Sequence, residues 1–449
     1  MSWYSPYLPI LEKALRKTDV WRSSFGDPIS SAKEMERIEE VIKSLQKKLE
    51  GNYPFHHPQY AGQMLKPPHP AAWIAQSLAA TINPNNHALD GGPPTSEMEK
   101  EVVDGFAQMI GYEKPFLGHL TSAGTIANLE ALFVAREIHP NKKIAATSQA
   151  HYTHQRMCRV LNTPFLEIPV DVHGKPEMDL LEESKHEIGT LVVSMGTTGL
   201  GAVEPLADLV NWAEKHGIRI HVDAAYGGFF KIIADQLTSS CHWDALSKAD
   251  SIVIDPHKHG LQPYGCGSIL FKDASVGQYY KHDSPYTYFT SDDLHLGEIS
   301  LECSRAGAAA AALWTTLQLL PLNKTGLGEL LQQTVDAANL FSVKIEQSNE
   351  IELYQTPELD IVAYFPVSQN RKTSEVSALS KKLFKAGMED KKEGFHLSLF
   401  TVSAEEFITR FPNYSADKEK VTILRSVLMK PEHLDFIPEL VRRLHQKLG

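Results

Sequence analysis

The run IRIHVDAAYGG (218 to 228) and the run SIVIDPHKHG (251 to 260) decide the fold of this chain. Each opens with a short apolar, β-branched segment and continues into small or charged residues, which is typical of a buried strand that ends in a turn. Ahead of them, LVVSMG (191 to 196) is a strand candidate, and LADLVNWAEKHG (206 to 217) has one apolar helical face with Gly217 as its stop. This alternation predicts an α/β fold with a mainly parallel sheet covered by helices.

The pattern changes after about Leu322. Short strand candidates now alternate with helices, which predicts a smaller α+β C-terminal domain. The strand candidates are DIVAYFP (360 to 366), FHLSLF (395 to 400) and VTILRSVLM (421 to 429), and the helices lie near 374 to 387 and 431 to 447.

The N-terminal 95 residues do not follow the alternation. Residues 31 to 50 have apolar side chains at helical spacing, and we expect this amphipathic helix to pack against the body of the protein or a second subunit. Residues 51 to 95 are rich in Pro, Gly, His and Asn, and because long loops are usually functional we expect them to line a site. The predicted division is 1 to 95, a helical segment with a pocket loop; 96 to 322, a large ligand-binding domain; and 323 to 449, the small domain.

Composition limits the partners of the chain. Its 449 residues are 42% hydrophobic and 22% charged, as in a soluble protein with more than one domain. A net charge of -11 argues against nucleic acid or an anionic membrane as principal partner, so a small-molecule substrate is expected. The chain shows no signal peptide and no apolar stretch long enough for a membrane span. Four separated cysteines without a CxxC pair indicate neither disulfides nor a metal site and favour a cytoplasmic location.

Lys258 stands in DPHKHG, at the carboxyl end of the strand candidate SIVID. An isolated ammonium group is costly to bury there. The cost disappears if the lysine is bound as an imine, and the carboxyl edge of an open α/β sheet is where ligands bind. The alternative is a surface lysine in a turn.

Asp223 ends the strand candidate IRIHVD, and Lys258 follows the next one. A carboxylate at this place can hold the pyridine nitrogen of a pyridoxal phosphate (PLP) ring protonated, which makes the ring an electron sink. Alone, such an aspartate is more often a cap or turn residue. As a pair, the two side chains can reach opposite ends of one ring.

A phosphate site is predicted in LTSAGTIANLEALFVAR (120 to 136), where a turn of small residues leads into an amphipathic helix. The amides of Ala123, Gly124 and Thr125 would point from the helix N-terminus, which attracts anions. Turns of this kind also occur in proteins without any ligand, so the prediction depends on the two preceding segments.

Six motifs together resemble, in order and spacing, the group II PLP-dependent decarboxylases, which include aromatic amino acid, glutamate and archaeal tyrosine or aspartate decarboxylases. They are TSAGTIAN, HYTH, GTTGLGAVEP, HVDAAYGG, DPHKHG and ECSRAGAAAAALW. The resemblance covers about 55 to 320 well and the C-terminal domain loosely. It implies the fold-type-I PLP-dependent transferase fold with a seven-stranded sheet, PLP as cofactor, and decarboxylation of an aromatic or acidic L-amino acid to the amine and CO2. It also implies a homodimer with active sites at the interface.

The resemblance assigns roles to individual residues. It implies that Lys258 is the Schiff-base lysine, that Asp223 is the partner of the pyridinium nitrogen, and that His151 stacks on the ring opposite Ala225. It places Thr198 near the cofactor and the substrate carboxylate. The predicted cofactor-binding residues are therefore Ala123, Gly124, Thr125, His151, Thr198, Asp223, Ala225, His257 and Lys258.

The proton donor to the substrate Cα is implied in the same way. Decarboxylases of this family carry a tyrosine on a mobile loop beyond the lysine, and here that residue is Tyr286, in the polar segment 277 to 298. Tyr279, Tyr280 and Tyr288 are the competing candidates.

Substrate contacts are predicted in the loop NYPFHHPQYAG (52 to 62), which resembles the pocket loop of the family. Its rings suit an aromatic substrate, although histidines equally suit a carboxylate. Arg305 is either a substrate contact or a structural ion-pair partner, and the structural alternative is favoured. Arg425 has no assigned role. The predicted substrate-site residues are Phe55, His56, His57, Tyr60 and Arg305.

Two departures from the aromatic decarboxylases keep alternatives open. Asp255 replaces an asparagine and His259 a tryptophan, so the HKxGxxPxG run is closer to archaeal tyrosine decarboxylases and sphingosine phosphate lyases. An acid repels a phosphate, so Asp255 is not assigned to phosphate binding. A PLP lyase that cleaves a carbon–carbon bond would need additional cations, and no basic cluster lies near the motifs. A non-catalytic binding protein is disfavoured because Lys258 and Asp223 are both present.

Overall fold

The structure, a computed structural model, describes residues 3–26, 35–171, 174–238, 240–281, 299–390 and 392–448. Within these ranges a seven-stranded sheet forms the centre of the large domain. Its strands are β1 (Leu117–Thr121), β2 (Lys143–Thr147), β3 (Phe165–Ile168), β4 (Ile188–Ser194), β5 (Arg219–Asp223), β6 (Ser251–Ile254) and β7 (Gly267–Phe271).

The strand order is β1-β7-β6-β5-β4-β2-β3. The strands from β6 to β3 are parallel, and β7 runs antiparallel to both β6 and β1. Every residue of β4, β6 and β7 is buried because helices cover both faces of the sheet, which is why these strands are continuous apolar runs in the sequence. The prediction of a mainly parallel α/β sheet is confirmed.

Helices precede the sheet and alternate with its strands. The helix at Leu206–His216 is followed by Gly217, whose φ of +65° is left-handed, as its place at the predicted helix stop requires. The helices of this part are α1 (Leu8–Ser23), α2 (Met35–Leu49), α3 (Pro70–Ala80), α4 (Pro93–Ile110), α5 (Gly124–Ile138), α6 (Thr153–Val160), α7 (Met178–Ser184), α8 (Leu206–His216), α9 (Ser240–Asp244) and α10 (Gly307–Leu319). In the part of the chain that the structure describes, no helix is long and apolar enough to cross a membrane.

The segment 51 to 95 is not the continuous loop that its composition predicts. It contains α3, and α4 begins at Pro93. Both helices start with proline, whose fixed φ suits the first helical turn, and the Nδ1 of His69 caps α3 by accepting from the amide of Ala71. Proline and histidine therefore mark helix starts here rather than a loop.

Within the described residues, the small domain contains a four-stranded antiparallel sheet in the order β10 (Ser398–Ser403), β11 (Lys420–Val427), β9 (Ile361–Pro366) and β8 (Ile351–Leu353). The predicted α+β character is confirmed, although the short first strand was missed and the predicted strand at 395 to 400 begins three residues later. The elements are α11 (Leu327–Glu346), β8 (Ile351–Leu353), β9 (Ile361–Pro366), α12 (Thr373–Glu389), β10 (Ser398–Ser403), α13 (Ala404–Arg410), β11 (Lys420–Val427) and α14 (His433–Leu448).

The amphipathic helix predicted at 31 to 50 is α2, of which the structure describes Met35–Leu49. None of its residues is buried, and Met35 and Val41 are 68% and 60% exposed. The helix thus leaves its apolar face open and does not pack against the body of the chain. Of the two expectations for this helix, only packing against a second subunit stays a prediction.

Candidate active site

A cavity of about 190 Å³ lies at the carboxyl edge of the large sheet, where open α/β sheets bind their ligands. It brings together all nine residues predicted to bind the cofactor, from five separate segments of the chain. Its lining consists of Ala123, Gly124, Thr125, Asn128, His151, Thr153, Ser194, Gly196, Thr197, Thr198, Asp223, Ala225, Tyr226, Asp255, His257 and Lys258.

Lys258 reaches this cavity because β6 ends at Ile254 and the chain then turns. The amide of Lys258 donates to the carbonyl of Asp255 at 2.9 Å, which closes the turn. The lysine Nζ lies 3.3 Å from Asp255 Oδ2, and its side chain is 21% exposed. Asp255 therefore balances the lysine charge inside the cavity, a role that sequence analysis did not assign to it.

Asp223 ends β5, the neighbour of β6 in the sheet, and pairs in register with Val253. Its Oδ1 accepts from the amide of Ala225 at 3.1 Å, and its Oδ2 lies 2.9 Å from His154 Nε2. Burial by itself raises the pKa of Asp223, but the hydrogen bond with His154 and the charge of Lys258 outweigh it and hold the pKa well below its usual value. Asp223 is therefore a carboxylate, as the partner of a pyridinium nitrogen must be.

The predicted phosphate cradle is the N-terminus of α5. Ala123 is the N-cap, and no side chain caps the helix, so its first amides point to the cavity without a side-chain acceptor. A Cβ on Gly124 would lie 2.5 Å from Asp255 Oδ2, so only glycine permits this close approach. The cradle, the lysine and the carboxylate fit the phosphate, the aldehyde and the ring nitrogen of PLP.

Two histidines of the lining have hydrogen bonds that fix their tautomers. His151 Nδ1 accepts from the amide of Thr153 at 3.3 Å and lies 2.7 Å from its hydroxyl, so the ring proton is on Nε2. His257 Nδ1 donates to the carbonyl of Cys266 at 2.6 Å. Burial lowers the pKa of both histidines, which favours the neutral rings.

The predicted substrate loop is not part of this cavity lining. Phe55 packs on Tyr60 with ring centres 4.9 Å apart, and His57 packs on Phe436 of the small domain at 5.8 Å. His56 packs on Trp3. The rings of the loop thus contact one another and neighbouring segments, and their contact with a substrate stays a prediction.

Arg305, Tyr279 and Tyr280 are also not part of the lining. Arg305 is buried, forms an ion pair with Glu99 and donates to the carbonyl of Leu120, which supports the structural alternative. Tyr280 is buried in the core, and its hydroxyl lies 3.4 Å from the carbonyl of Glu130. Tyr286 and Tyr288 lie outside the described residues.

Sequence reasoning missed two side chains at this site. His154 contacts Asp223, and its only signal was the second histidine of the HYTH motif. Arg425, on β11 of the small domain, donates to the carbonyl of Thr198, which is 227 residues away in sequence. The fold therefore brings to the cavity a cation that lies far from the motifs in the sequence.

Comparisons with known proteins agree with this geometry. Residues 24–366 match the family model described as "Pyridoxal-dependent decarboxylase conserved domain". The chain is 26% identical to an L-tyrosine decarboxylase of Enterococcus faecium, with 100% of this chain and 94% of that protein covered. It is 28% identical to an L-aspartate decarboxylase of Thermococcus kodakarensis, covering 73% and 84% respectively.

Solved structures show the same fold. The crystal structure of Oryza sativa TDC with PLP and tryptamine matches with a TM-score of 0.79 over 100% of both chains, at 16% identity. Mouse CSAD in the apo form matches with a TM-score of 0.76 over 92% of each chain, at 18% identity. With the fold, the lysine-bearing cavity and the family match in agreement, the chain belongs to the pyridoxal-phosphate-dependent decarboxylases and is an amino acid decarboxylase.

Proposed function

We propose that Lys258 binds the cofactor covalently and that Asp223 holds its ring nitrogen. The observation that carries this proposal is that both side chains line one cavity from the ends of adjacent parallel strands. PLP, when bound, supplies an electron sink for the carbon that loses its carboxyl group. His151 and Ala225 would bracket the ring, and the amides at the start of α5 would bind the phosphate.

Arg425 is the group that we propose to receive a substrate carboxylate. Its Nε is buried without a hydrogen-bond partner among the described residues, and burial lowers its pKa. An unpaired buried cation is unfavourable, so an anionic ligand would complete the site. Arg425 Nη1 donates to the carbonyl of Thr198, a residue of the cavity lining, so the guanidinium lies beside the cavity.

Lys430, which contacts Tyr60, and Lys66, whose charge acts on Lys430, support an acidic substrate side chain over an aromatic one. Lys430 Nζ lies 5.3 Å from the centre of the Tyr60 ring, and Lys66 Nζ donates to the carbonyl of Met429 at 2.9 Å. Burial lowers the pKa of Lys66 to about 8 and, together with the charge of Lys66, that of Lys430 to about 7. An incoming carboxylate would stabilise the charged forms of both.

The test is a panel of L-aspartate, L-glutamate, L-tyrosine and L-tryptophan with the PLP-loaded protein, in which CO2 and amine are measured together. We expect one amine per CO2 and a larger kcat/KM for the acidic substrates. A preference for L-tyrosine would overturn the substrate proposal. A phosphorylated amino alcohol cleaved to an aldehyde without CO2 would indicate the lyase alternative, and PLP binding without any turnover would indicate a binding protein.

We also propose Tyr286 as the acid that protonates the substrate Cα once CO2 has left. A weak acid brought close by loop closure suits this step. Tyr286→Phe should still release CO2 but yield less amine per CO2. The control is the amine-to-CO2 ratio of the Phe variants of Tyr279, Tyr280 and Tyr288, which should stay near one. An unchanged amine-to-CO2 ratio in the Tyr286→Phe variant would exclude Tyr286 as the proton donor.

The exposed helix α2 supports a homodimer with active sites at the interface. Its apolar face needs a partner surface, and a second copy of the chain offers the same helix. Dilution should release the cofactor together with dissociation in sedimentation experiments, and a fully active monomer would exclude this. The face consists of Met35, Ile38, Val41, Ile42, Leu45 and Leu49.

We also propose a cytoplasmic location and a division of the chain at 95 and 322. A cytoplasmic location is supported by the four cysteines, none of which is in a disulfide. The division at 95 and 322 is supported by the sheets, since the larger spans 117 to 271 and the smaller spans 351 to 427.

A further inference from the structure

His154 contacts Asp223 but does not itself line the cavity. It stands in the first turn of α6, and its side chain is fully buried. It is not part of the cavity lining, so it acts on a bound molecule only through Asp223. A histidine that merely fills space has no need to aim a ring nitrogen at a carboxylate oxygen 2.9 Å away.

With the contact from His154, both carboxylate oxygens of Asp223 have a hydrogen-bond partner in the protein. The Ala225 amide binds Oδ1, and His154 Nε2 binds Oδ2. Each carboxylate oxygen has two acceptor positions, so both oxygens keep one free for the cavity. The carboxylate therefore cannot rotate away from a ring nitrogen without losing a buried hydrogen bond.

The surroundings of His154 fix which nitrogen carries the proton. His154 Nδ1 is buried and has no hydrogen-bond partner within the described ranges. The neighbouring ring of His221 is 6.2 Å away and uses its own nitrogens on Asn128 and Ser251, at 2.8 and 2.9 Å. A proton on Nδ1 would have no acceptor, so the ring donates from Nε2 to Asp223.

We propose that His154 is a positioning residue that keeps the proton of the cofactor on the ring nitrogen instead of on Asp223. A hydrogen bond donated to a carboxylate stabilises its charged form and weakens its affinity for a proton. The ring nitrogen then retains the proton that makes the ring an electron sink. This inference rests on the proposed role of Asp223.

The test compares His154→Phe, which keeps a ring but no donor, with His154→Gln, whose amide nitrogen can replace Nε2. Each protein is loaded with PLP labelled with nitrogen-15 in the ring, and the nitrogen chemical shift reports protonation directly. We expect the Phe variant to move toward the unprotonated shift and to lose about 10- to 100-fold in kcat, as when the residue that orients a functional ligand is removed. The Gln variant should recover the wild-type shift and most of kcat.

His119→Gln is the matched control, because His119 is equally buried but contacts Glu130 at 2.9 Å and not Asp223. It should leave the nitrogen shift unchanged. If His154→Phe does not fold, His154→Leu takes its place. A Phe or Leu variant with the wild-type shift, or a Gln variant no better than Phe, would overturn the inference.

Asp223→Asn separates the two possible failures. If it moves the nitrogen shift while His154→Phe does not, the role of Asp223 stands and that of His154 fails. If neither variant moves the shift, the role of Asp223 fails and the inference fails with it.

Discussion

The two sides of the cavity differ in how the chain builds them. On the cofactor side, Asp223 and Lys258 follow strand ends, and the cradle at Gly124 begins a helix, all within the large domain. On the small-domain side, Arg425 reaches the carbonyl of Thr198 from β11, and nothing in the sequence near either residue announces the contact. A functional side chain at the end of a strand can be predicted from the nearby sequence. A side chain that reaches the site through the packing of two domains cannot.

The two arginines show the same difference in energetic terms. Arg305 has an ion pair with Glu99 and backbone acceptors, which compensate its burial. Arg425 has a backbone acceptor in Thr198 but no carboxylate partner among the described residues. The first arrangement is that of a structural residue, and the second leaves room for a ligand.

The largest effect is expected for Lys258→Ala, which removes the covalent attachment on the cofactor side. Decarboxylation should fall to background, and borohydride reduction should no longer fix the cofactor to the peptide that contains residue 258, as measured by mass spectrometry. Lys272→Ala is the control, because Lys272 is exposed. Cofactor fixed to the variant chain would contradict the assignment.

Asp223→Asn should have the next largest effect. The amide cannot hold a protonated ring nitrogen, so kcat should fall about 10²- to 10⁴-fold while the cofactor stays bound. Cofactor content by absorbance and kcat by CO2 release measure the two parts separately. Normal kcat in this variant would mean that the carboxylate is only a turn residue.

Arg425→Met should lower catalytic efficiency without lowering the stability of the fold. We expect kcat/KM to fall about 10- to 100-fold, chiefly through KM, because removal of a cation that pairs with a ligand carboxylate costs about 1.5–3 kcal/mol. The melting temperature should stay unchanged or rise, since an unpaired buried charge is lost.

Arg305→Met is the matched comparison. It leaves Glu99 buried without this partner, so unfolding free energy should fall by about 3–5 kcal/mol in chemical denaturation, with little change in the KM of the folded protein. The reverse result, a stable Arg305→Met protein with a raised KM, would exchange the roles of the two arginines.

The smallest effect is expected for His56→Ala in the predicted substrate loop. His56 is exposed and packs on Trp3, so kcat/KM should change by less than about twofold, as for most surface substitutions. A ten-fold or larger change in kcat/KM with an aromatic substrate would indicate that the loop does contact the substrate.

The sequence by itself determined the parallel sheet, the stop of α8 at Gly217 and nine of the residues that line the cavity. Apolar runs, a glycine and charged residues at strand ends are local features, and parallel strands bring their carboxyl ends to one edge. Only the tertiary structure decided the contact of His154 with Asp223, the pairing of Arg305 and the reach of Arg425. These depend on which helix or domain packs beside the site, and that packing is set by side chains far apart in the chain, so no local pattern of residues encodes it.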